Sequence, residues 1–178
     1  KETFKSKKQN ELSIYICGLT PYDDVHIGHA RTFINFDVIV KFFKFLGFKV
    51  RYIRNITDVD DKIIDRAKEE GIPALDFSKK YINEMHDDFL SLGIESPDVE
   101  PKVSDHIDDI ISMIQSLEDR GYAYRKNESD VFFDVKKFKD YGKLANRSLE
   151  QLTAAERTIT DLNKNHEADF VLWKVDTD

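Results

Sequence analysis

A strand–helix–strand pattern in the first third of the chain limits the possible folds more than any other feature. Residues 13–18 read SIYICG, an almost continuous apolar run that is typical of a strand buried on both faces of a parallel sheet. Apolar residues at helical spacing follow from Gly28, and Gly47 is placed to end that helix. Residues 50–54, VRYIR, predict a second strand. Such a unit normally makes a right-handed crossover, so the pattern predicts an α/β fold with parallel strands.

The rest of the chain reads first as helices and then as an antiparallel pair of strands. Asp58 or Asp60 is placed to cap a helix that ends at Gly71. Because the pattern changes from helical to strand-like near Gly121, we place a subdomain boundary there. The other predicted elements are helices over 74–92 and 104–121, strands over 122–125 and 130–134, and a polar loop with some helix over 148–168.

Composition and charge exclude several classes of protein. Hydrophobic residues make up 40% of the 178 residues, with 13 Phe and 7 Tyr, which supplies enough apolar area for a core and excludes wholesale disorder. No apolar run approaches the length of a membrane span. A net charge of −7 argues against a protein that coats nucleic acid with its whole surface. The lysine-rich stretches 41–44 and 136–139 are most simply solvated faces, with RNA contact as the alternative.

Cys17 is the single cysteine of the chain, which bears on both its compartment and its chemistry. One cysteine excludes an intramolecular disulfide framework and indicates a reducing compartment, so we expect a cytoplasmic location. The chain starts at a Lys, so a removed transit peptide and an organelle stay open as the alternative. An isolated cysteine is more often a small buried hydrophobe than a metal ligand. Zinc needs three or four ligands, of which Cys17 would be one.

The sharpest chemical motif is His26-Ile27-Gly28-His29, which stands where a loop enters the first helix. Helix N-termini expose unpaired N–H groups and the positive end of the dipole, so they attract phosphate. Gly28 would let a nucleotide approach the backbone, and two imidazoles can donate to phosphate oxygens as charge grows on them. The motif therefore predicts ATP binding by His26, Gly28 and His29, with both histidines catalytic. The alternative is a capping and packing cluster at a buried turn.

The segment 55–61, NITDVDD, follows the second strand at its carboxyl end. Open α/β sheets bind their ligands at that edge. Thr57 is therefore a candidate to hydrogen-bond a small polar substrate. The acidic residues of the segment have an alternative role as helix caps and partners of the helix dipole.

Six motifs spread over nearly the whole chain are shared with a known family. They are YICGLTPYD (15–23), HIGHARTF (26–33), RNITDVDDKII (54–64), DVFFD (130–134), YGKL (141–144) and DFVLWK (169–174). In this combination the sequence resembles the cysteinyl-tRNA synthetases, which are class I aminoacyl-tRNA synthetases. The resemblance implies a Rossmann-like parallel sheet over residues 1–121, the first half of the catalytic domain, and the start of an α+β connective insertion over 122–178.

The resemblance also implies a reaction and a site. The enzymes of this family use Mg-ATP to convert cysteine to cysteinyl-adenylate and then transfer the cysteine to tRNA(Cys). It implies that the HIGH motif, residues 26–29, holds the ATP phosphates, and that Gly18, Thr20 and Thr57 line the pocket for the substrate cysteine. It implies that Cys17 is one of four zinc ligands, a soft ligand set that selects the thiolate of cysteine over serine.

Several parts of the family pattern are not found in this sequence. The other zinc ligands, the lysine-rich KMSKS loop and the anticodon-binding domain are missing, so we expect the 178 residues alone to be inactive. Pro21 stands where many of these enzymes carry Val, and Pro is frequent there in the cysteine ligase of mycothiol synthesis. That ligase is the first alternative, and a non-catalytic nucleotide-binding fragment or paralogue is the second. We expect a monomer and no membrane partner.

Overall fold

The chain folds into two compact units, residues 1–107 and 108–178. The computed structural model describes residues 4–126, 130–148, 151 and 164–175. The sequence predicts a boundary near Gly121, whereas the compact units divide after Ile107, the first residue of the helix Ile107–Asp119. This helix joins the second unit because its Ile114 packs in one cluster with Ala123 and Val131. The assignment of 1–121 and 122–178 to two functional domains stays a prediction.

The first unit begins with the predicted strand–helix–strand unit. It consists of β1 (Glu11–Ile16), α1 (Ile27–Phe45) and β2 (Lys49–Arg54). The two strands pair in parallel, with Ile14 opposite Tyr52, which confirms the predicted α/β arrangement. Gly47 follows the end of α1 with a φ of 84°, in the left-handed region that the predicted stop requires.

The prediction that the first strand is buried on both faces is wrong for the described chain. β1 starts and ends two residues earlier than 13–18, and its burial alternates, with Tyr15 63% exposed. One face of β1 packs into the core through Ile14 and Ile16, while the other points away from it. The core of this unit draws on β1, α1, β2 and a later helix, and its buried members are Ile16, Leu19, Phe33, Val40, Tyr52, Ile56, Ile82, Met85, Phe89 and Ile94.

Two helices follow β2, as the sequence predicted. They are α2 (Asp61–Glu70) and α3 (Ala74–Ser91). Of the two candidate caps, Asp60 occupies the N-cap position of α2 and accepts a hydrogen bond from the Lys62 N–H at 3.0 Å. Gly71 ends α2 with a φ of 68°. None of the helices in the described part of the chain is both long and apolar enough to cross a membrane.

Residues 98–103 extend the sheet beyond β2, which the sequence analysis missed. Parallel bridges join Ile53 to Val99 and Ile56 to Lys102. The N–H groups of Arg54 and Ile56 donate to the carbonyls of Val99 and Pro101 at 3.1 and 2.9 Å. Proline lacks the N–H that a central strand needs, so a proline-containing segment does not read as a strand. In this chain the segment 98–103 nevertheless forms an irregular edge of the sheet.

Arg54, at the end of β2, ties this edge to the core. Its side chain is 3% exposed and donates twice to one carboxylate oxygen of Glu100, from Nε at 3.0 Å and from Nη2 at 2.6 Å. The guanidinium lies 4.9 Å from the ring centroid of Phe89 on α3. The other Glu100 oxygen contacts Nε2 of His86 at 2.7 Å. A buried charge is tolerated here because it is paired and hydrogen-bonded.

The second unit consists of a helix and a small antiparallel sheet. Its elements are α4 (Ile107–Asp119), β3 (Ala123–Arg125), β4 (Val131–Phe133) and β5 (Phe170–Trp173), in the sheet order β3-β4-β5. The predicted antiparallel pair is confirmed by β3 and β4. Most of the predicted turn 126–129 and most of the polar stretch 148–168 lie outside the described residues.

Asp169 joins the parts of this second unit. It is fully buried, and its carboxylate accepts hydrogen bonds from the N–H groups of Val135 and His166, both at 3.0 Å. It also accepts from the Tyr124 hydroxyl at 2.8 Å. Each of these donors comes from a different part of the chain, so one carboxylate fixes β3, the turn after β4 and the segment before β5 together.

Candidate functional site

The loops that follow β1 and β2 are held against each other at the carboxyl edge of the sheet. The Gly18 N–H donates to Oδ1 of Asn55 at 2.7 Å. The Thr57 N–H donates to the Leu19 carbonyl at 3.2 Å. A Cβ placed on Gly18 would lie 1.5 Å from the carbonyl oxygen of Asn55, so only glycine fits at this position. The structure therefore brings two of the predicted substrate residues, Gly18 and Thr57, to one place.

Asn55 is the residue of this edge that the sequence analysis did not single out. Its side chain bridges the two loops, since Oδ1 accepts from Gly18 while Nδ2 donates to the Thr57 hydroxyl at 3.4 Å. Because the Gly18 N–H is occupied, any ligand contact of that residue must use its Cα or its carbonyl. The signal that could have revealed Asn55 is its position as the first residue after a parallel strand.

Asp58 holds the same loop from its other side. It is 3% exposed and accepts hydrogen bonds from the N–H of Ser104 at 2.9 Å and from the hydroxyl of Ser104 at 2.5 Å. The prediction that Asp58 caps the helix ending at Gly71 is wrong, because Asp60 is the N-cap of α2. The carboxylate of Asp58 is used in a long-range clamp between the loop after β2 and the segment after the irregular edge.

The loop that leads from the strand edge to α1 contains Thr20, which is half-buried. Lys62 of α2 lies 4.9 Å above the ring of Tyr22, and Arg66 reaches the Asp23 carboxylate at 3.7 Å. Tyr22 also packs against the apolar residues between α2 and α3. The loop that carries Thr20 is thus anchored to α2 rather than free in solvent.

The HIGH motif forms a reciprocal capping box at the start of α1. Nδ1 of His26, the N-cap residue, accepts from the N–H groups of Gly28 and His29 at 3.1 and 3.3 Å. Nδ1 of His29 accepts from the His26 N–H at 3.4 Å, and the two rings stack 3.7 Å apart. A neutral imidazole whose Nδ1 accepts carries its proton on Nε2. Both histidines therefore present an Nε2–H donor, with the tautomer assigned from the hydrogen bonds.

This cap corrects the expectation that bare backbone amides of the helix face the phosphate. The N–H groups of Gly28 and His29 are both used by the His26 ring. A Cβ on Gly28 would lie 2.9 Å from Cε1 of His26, so the glycine makes room for that ring. The capping alternative is thus present in the molecule, and it leaves the two Nε2–H groups as the donors of the motif.

The electrostatics of the site favour a neutral ring at His29. Burial lowers the pKa of His29 below its ordinary 6.5, and the neighbouring His26 lowers it further. His29 is therefore uncharged at neutral pH before any ligand binds. A neutral donor loses less hydration than a cation when a nucleotide covers it.

Cys17 follows directly after β1 and is exposed, rather than lying within a buried strand. Among the described residues no three His, Cys, Asp or Glu side chains come close enough to hold a metal ion. Zinc sites in proteins need at least three protein ligands. The described residues therefore do not build a zinc site, and they offer one thiol to such a site.

Comparison with known proteins places the chain in a family. A family model described as the tRNA synthetases class I (C) catalytic domain matches residues 3–178. The cysteine–tRNA ligase of Actinobacillus succinogenes is 49% identical over 98% of this chain and 38% of that protein. The chloroplastic/mitochondrial cysteine–tRNA ligase of Arabidopsis thaliana is 48% identical over 98% of this chain and 31% of that protein. The chain thus spans 31–38% of the length of these relatives.

Solved structures share the fold at lower identity. The methionyl-tRNA synthetase of Mycobacterium tuberculosis, in complex with methionyl-adenylate, aligns with a TM-score of 0.58 at 20% identity and covers 71% of this chain and 24% of that one. The ternary complex of the Agrobacterium radiobacter K84 LeuRS with tRNA and LeuAMS aligns with a TM-score of 0.58 at 17% identity, over 74% of this chain and 18% of that one. These two likenesses concern the fold alone. With its α/β fold and its match over residues 3–178, the chain belongs to the family of class I (C) tRNA synthetase catalytic domains.

Proposed function

We propose that the protein is a cysteine–tRNA ligase and that this chain carries its ATP-phosphate site and part of its amino-acid site. The observation that carries the proposal is that one compact unit presents two Nε2–H donors at the start of α1 and a Gly18–Asn55–Thr57 cluster at the adjoining strand ends. Relatives that are 46–49% identical over 98% of the chain are named cysteine–tRNA ligases, which supports cysteine as the amino acid.

In the proposed reaction, a carboxylate oxygen of cysteine attacks the α-phosphorus of ATP. A new oxygen–phosphorus bond forms, the bond to the bridging oxygen breaks, and pyrophosphate leaves with the electron pair. A hydroxyl at the 3′ end of tRNA(Cys) then attacks the carbonyl carbon of the adenylate, and AMP leaves. His26 and His29 donate from Nε2 to phosphate oxygens, where the charge grows during the first step. The proposed role of Gly28 in ATP binding is to allow the close approach of the His26 ring.

The amino-acid part of the site is proposed to consist of Gly18, Thr20 and Thr57. The hydroxyl of Thr57 and the half-buried Thr20 stand at the edge where parallel sheets bind their ligands. We propose that Cys17 serves as one ligand of a zinc ion. The rest of the ligand set is not among the described residues, so no step of the reaction is assigned to the metal.

The two alternatives are not favoured by the relatives, which are named as tRNA ligases rather than as mycothiol enzymes or inactive paralogues. One of these relatives is bacterial and another is named as a chloroplastic/mitochondrial plant protein. We therefore propose a cytoplasmic or organellar location. A monomeric state stays a prediction.

The proposal is tested by ATP–pyrophosphate exchange and tRNA charging with the protein encoded by the complete gene. We expect exchange that depends on cysteine, is at least 100-fold weaker with serine, and is followed by charging of tRNA(Cys). Exchange without charging of tRNA(Cys) would favour another cysteine ligase. The 178-residue chain alone is expected to charge no tRNA, because catalytic groups that act as a unit lose most of the rate when some are removed.

A further inference from the structure

We propose that Asn55 is a positioning residue that turns the Thr57 hydroxyl into a hydrogen-bond donor to the carboxylate of the bound amino acid. The inference rests on the proposed function, because it takes Thr57 to lie in the amino-acid pocket. It adds a residue and a direction of hydrogen bonding that neither the motif nor the relatives' names specify.

Hydrogen bonding fixes the orientation of the Asn55 amide. A backbone N–H can only donate, and the Gly18 N–H lies 2.7 Å from one end of this amide. That end must therefore be the carbonyl oxygen Oδ1. The NH₂ group then faces the other way, toward the Thr57 hydroxyl at 3.4 Å, to which it can only donate.

The hydroxyl proton of Thr57 is available to a ligand. Because Oγ1 accepts from Asn55, its own proton is not used in that contact. Within the described part of the chain, no acceptor takes a hydrogen bond from this hydroxyl. The backbone of Thr57 cannot turn away, since its N–H is bound to Leu19 and the next residue, Asp58, is clamped to Ser104.

The carboxylate of the amino acid is the ligand group that can receive this proton. At neutral pH the ammonium group of an amino acid only donates, whereas its carboxylate only accepts. A sulfur atom is a weak acceptor. The free proton of Thr57 therefore points to a carboxylate oxygen, the group that reacts with ATP in the proposed first step.

The test is the substitution Asn55→Asp in the complete protein, assayed by cysteine-dependent ATP–pyrophosphate exchange. The two carboxylate oxygens still accept from Gly18, but they now also accept the Thr57 proton and remove it from the ligand. We expect the KM for cysteine to rise about 10-fold, the size expected for the loss of one hydrogen bond to a charged group, with kcat changed less. The substitution Asn83→Asp on the exposed side of α3 adds the same charge elsewhere and is the matched control.

A double-mutant cycle separates the hydroxyl from simple charge repulsion. In a Thr57→Val background there is no hydroxyl proton to redirect, so adding Asn55→Asp should change KM less than 2-fold. An equal rise of KM in both backgrounds would overturn the proposal, and so would an unchanged KM for Asn55→Asp while Thr57→Val raises it. If Thr57→Val itself leaves KM unchanged in an active enzyme, Thr57 is not in the pocket and the proposed assignment of the amino-acid site fails first.

A second measurement keeps the proposal testable if Asn55→Asp does not fold. Cysteamine keeps the thiol and the ammonium group of cysteine but lacks the carboxylate. We expect Thr57→Val to raise the KM for cysteine about 10-fold and to leave the inhibition constant of cysteamine unchanged. An equal loss for both compounds would show that Thr57 does not act on the carboxylate, and would overturn the proposal.

Discussion

The imidazole rings of His26 and His29 stack at 3.7 Å, and the Nδ1 atom of each accepts a backbone N–H that belongs to the same turn of helix. One pair of side chains therefore caps the start of α1 and also leaves two Nε2–H groups as donors. Capping and phosphate binding use different nitrogen atoms, so they can be separated by mutation.

Replacement of His26 by Asn tests this separation. Asn is a good N-cap residue, so the helix should lose little stability, whereas His26→Ala should lose about 1 kcal/mol. Both variants lose the Nε2–H donor, so both should slow cysteine-dependent pyrophosphate exchange on the order of 100-fold. Urea unfolding and exchange kinetics measure the two effects. Full exchange activity in His26→Asn would show that capping is the whole role of the residue.

The lowered pKa of His29 predicts proton uptake when ATP binds. Burial and then His26 keep the free ring neutral below its ordinary pKa of 6.5, so its contribution to folding stability is complete above that pH and is lost as the pH falls through the lowered folded pKa. A bound phosphate opposes the shift, because its negative charge favours the imidazolium, whose protonated Nδ1 then gives up the long contact with the His26 N–H. At about pH 6 we expect calorimetry in two buffers of different ionisation enthalpy to show uptake of protons. If the His29→Asn variant takes up as many protons when it binds ATP, His29 is not the group that is protonated.

The clamp between Asp58 and Ser104 predicts two different losses of stability. Asp58→Ala leaves the half-buried N–H and hydroxyl of Ser104 without their acceptor and should cost about 2–4 kcal/mol. Ser104→Ala removes only the hydroxyl and should cost about 1 kcal/mol. Urea denaturation of the two variants measures both values. Equal costs would mean that the backbone contact of Asp58 contributes nothing measurable.

In the second unit the pKa of the Tyr124 hydroxyl is raised to about 12, mainly by burial; the hydrogen bond to Asp169 adds to this rise, and the Asn165 N–H opposes it. The protonated form is therefore the one the fold favours. Its contribution to stability is complete below about pH 10 and is lost as the pH rises through about 12. Ultraviolet titration of tyrosinate should show late titration at Tyr124 and, because burial also raises the pKa of Tyr52, at Tyr52; the Tyr124 part should disappear in Tyr124→Phe. Asp169→Asn should bring the pKa of Tyr124 down, and an unchanged pKa would assign the shift to burial alone.

Cys17 predicts a metal effect in the complete protein. Cys17→Ser replaces a soft thiolate by a hard oxygen, so the zinc content per protein molecule should fall and the preference for cysteine over serine should weaken. Atomic emission and exchange assays with both amino acids measure these effects. Thr20→Ser, in the same loop, is the control and should keep its zinc. If the Cys17→Ser protein keeps its full zinc content and its preference for cysteine over serine, Cys17 is not a zinc ligand.

The sequence predicted those elements whose signals are local. Asp60 and Gly71 mark the ends of α2 in the chain itself, and the apolar pattern around α1 predicts two parallel strands. The irregular strand 98–103 was missed because its pairing is tertiary and Pro101 argues against a strand.

In the site, sequence patterns predicted the residue types but not how their atoms are used. His26, Gly28 and His29 were identified as a motif, whereas the use of two amides by the His26 ring depends on its rotamer. The bridge through Asn55 joins residues 37 positions apart, and no local pattern contains that information.

The sheet edge that carries the candidate site has a consequence for how the chain folds. Contacts there join Gly18 to Asn55 across 37 positions and Asp58 to Ser104 across 46. Each contact closes a long loop, and folding rates fall as such non-local contacts come to dominate a structure. α1 and α2 can form early from their own caps, but the pocket exists only after both loops have closed. A chain stalled partway through folding would have nearly all of its helices and no binding site.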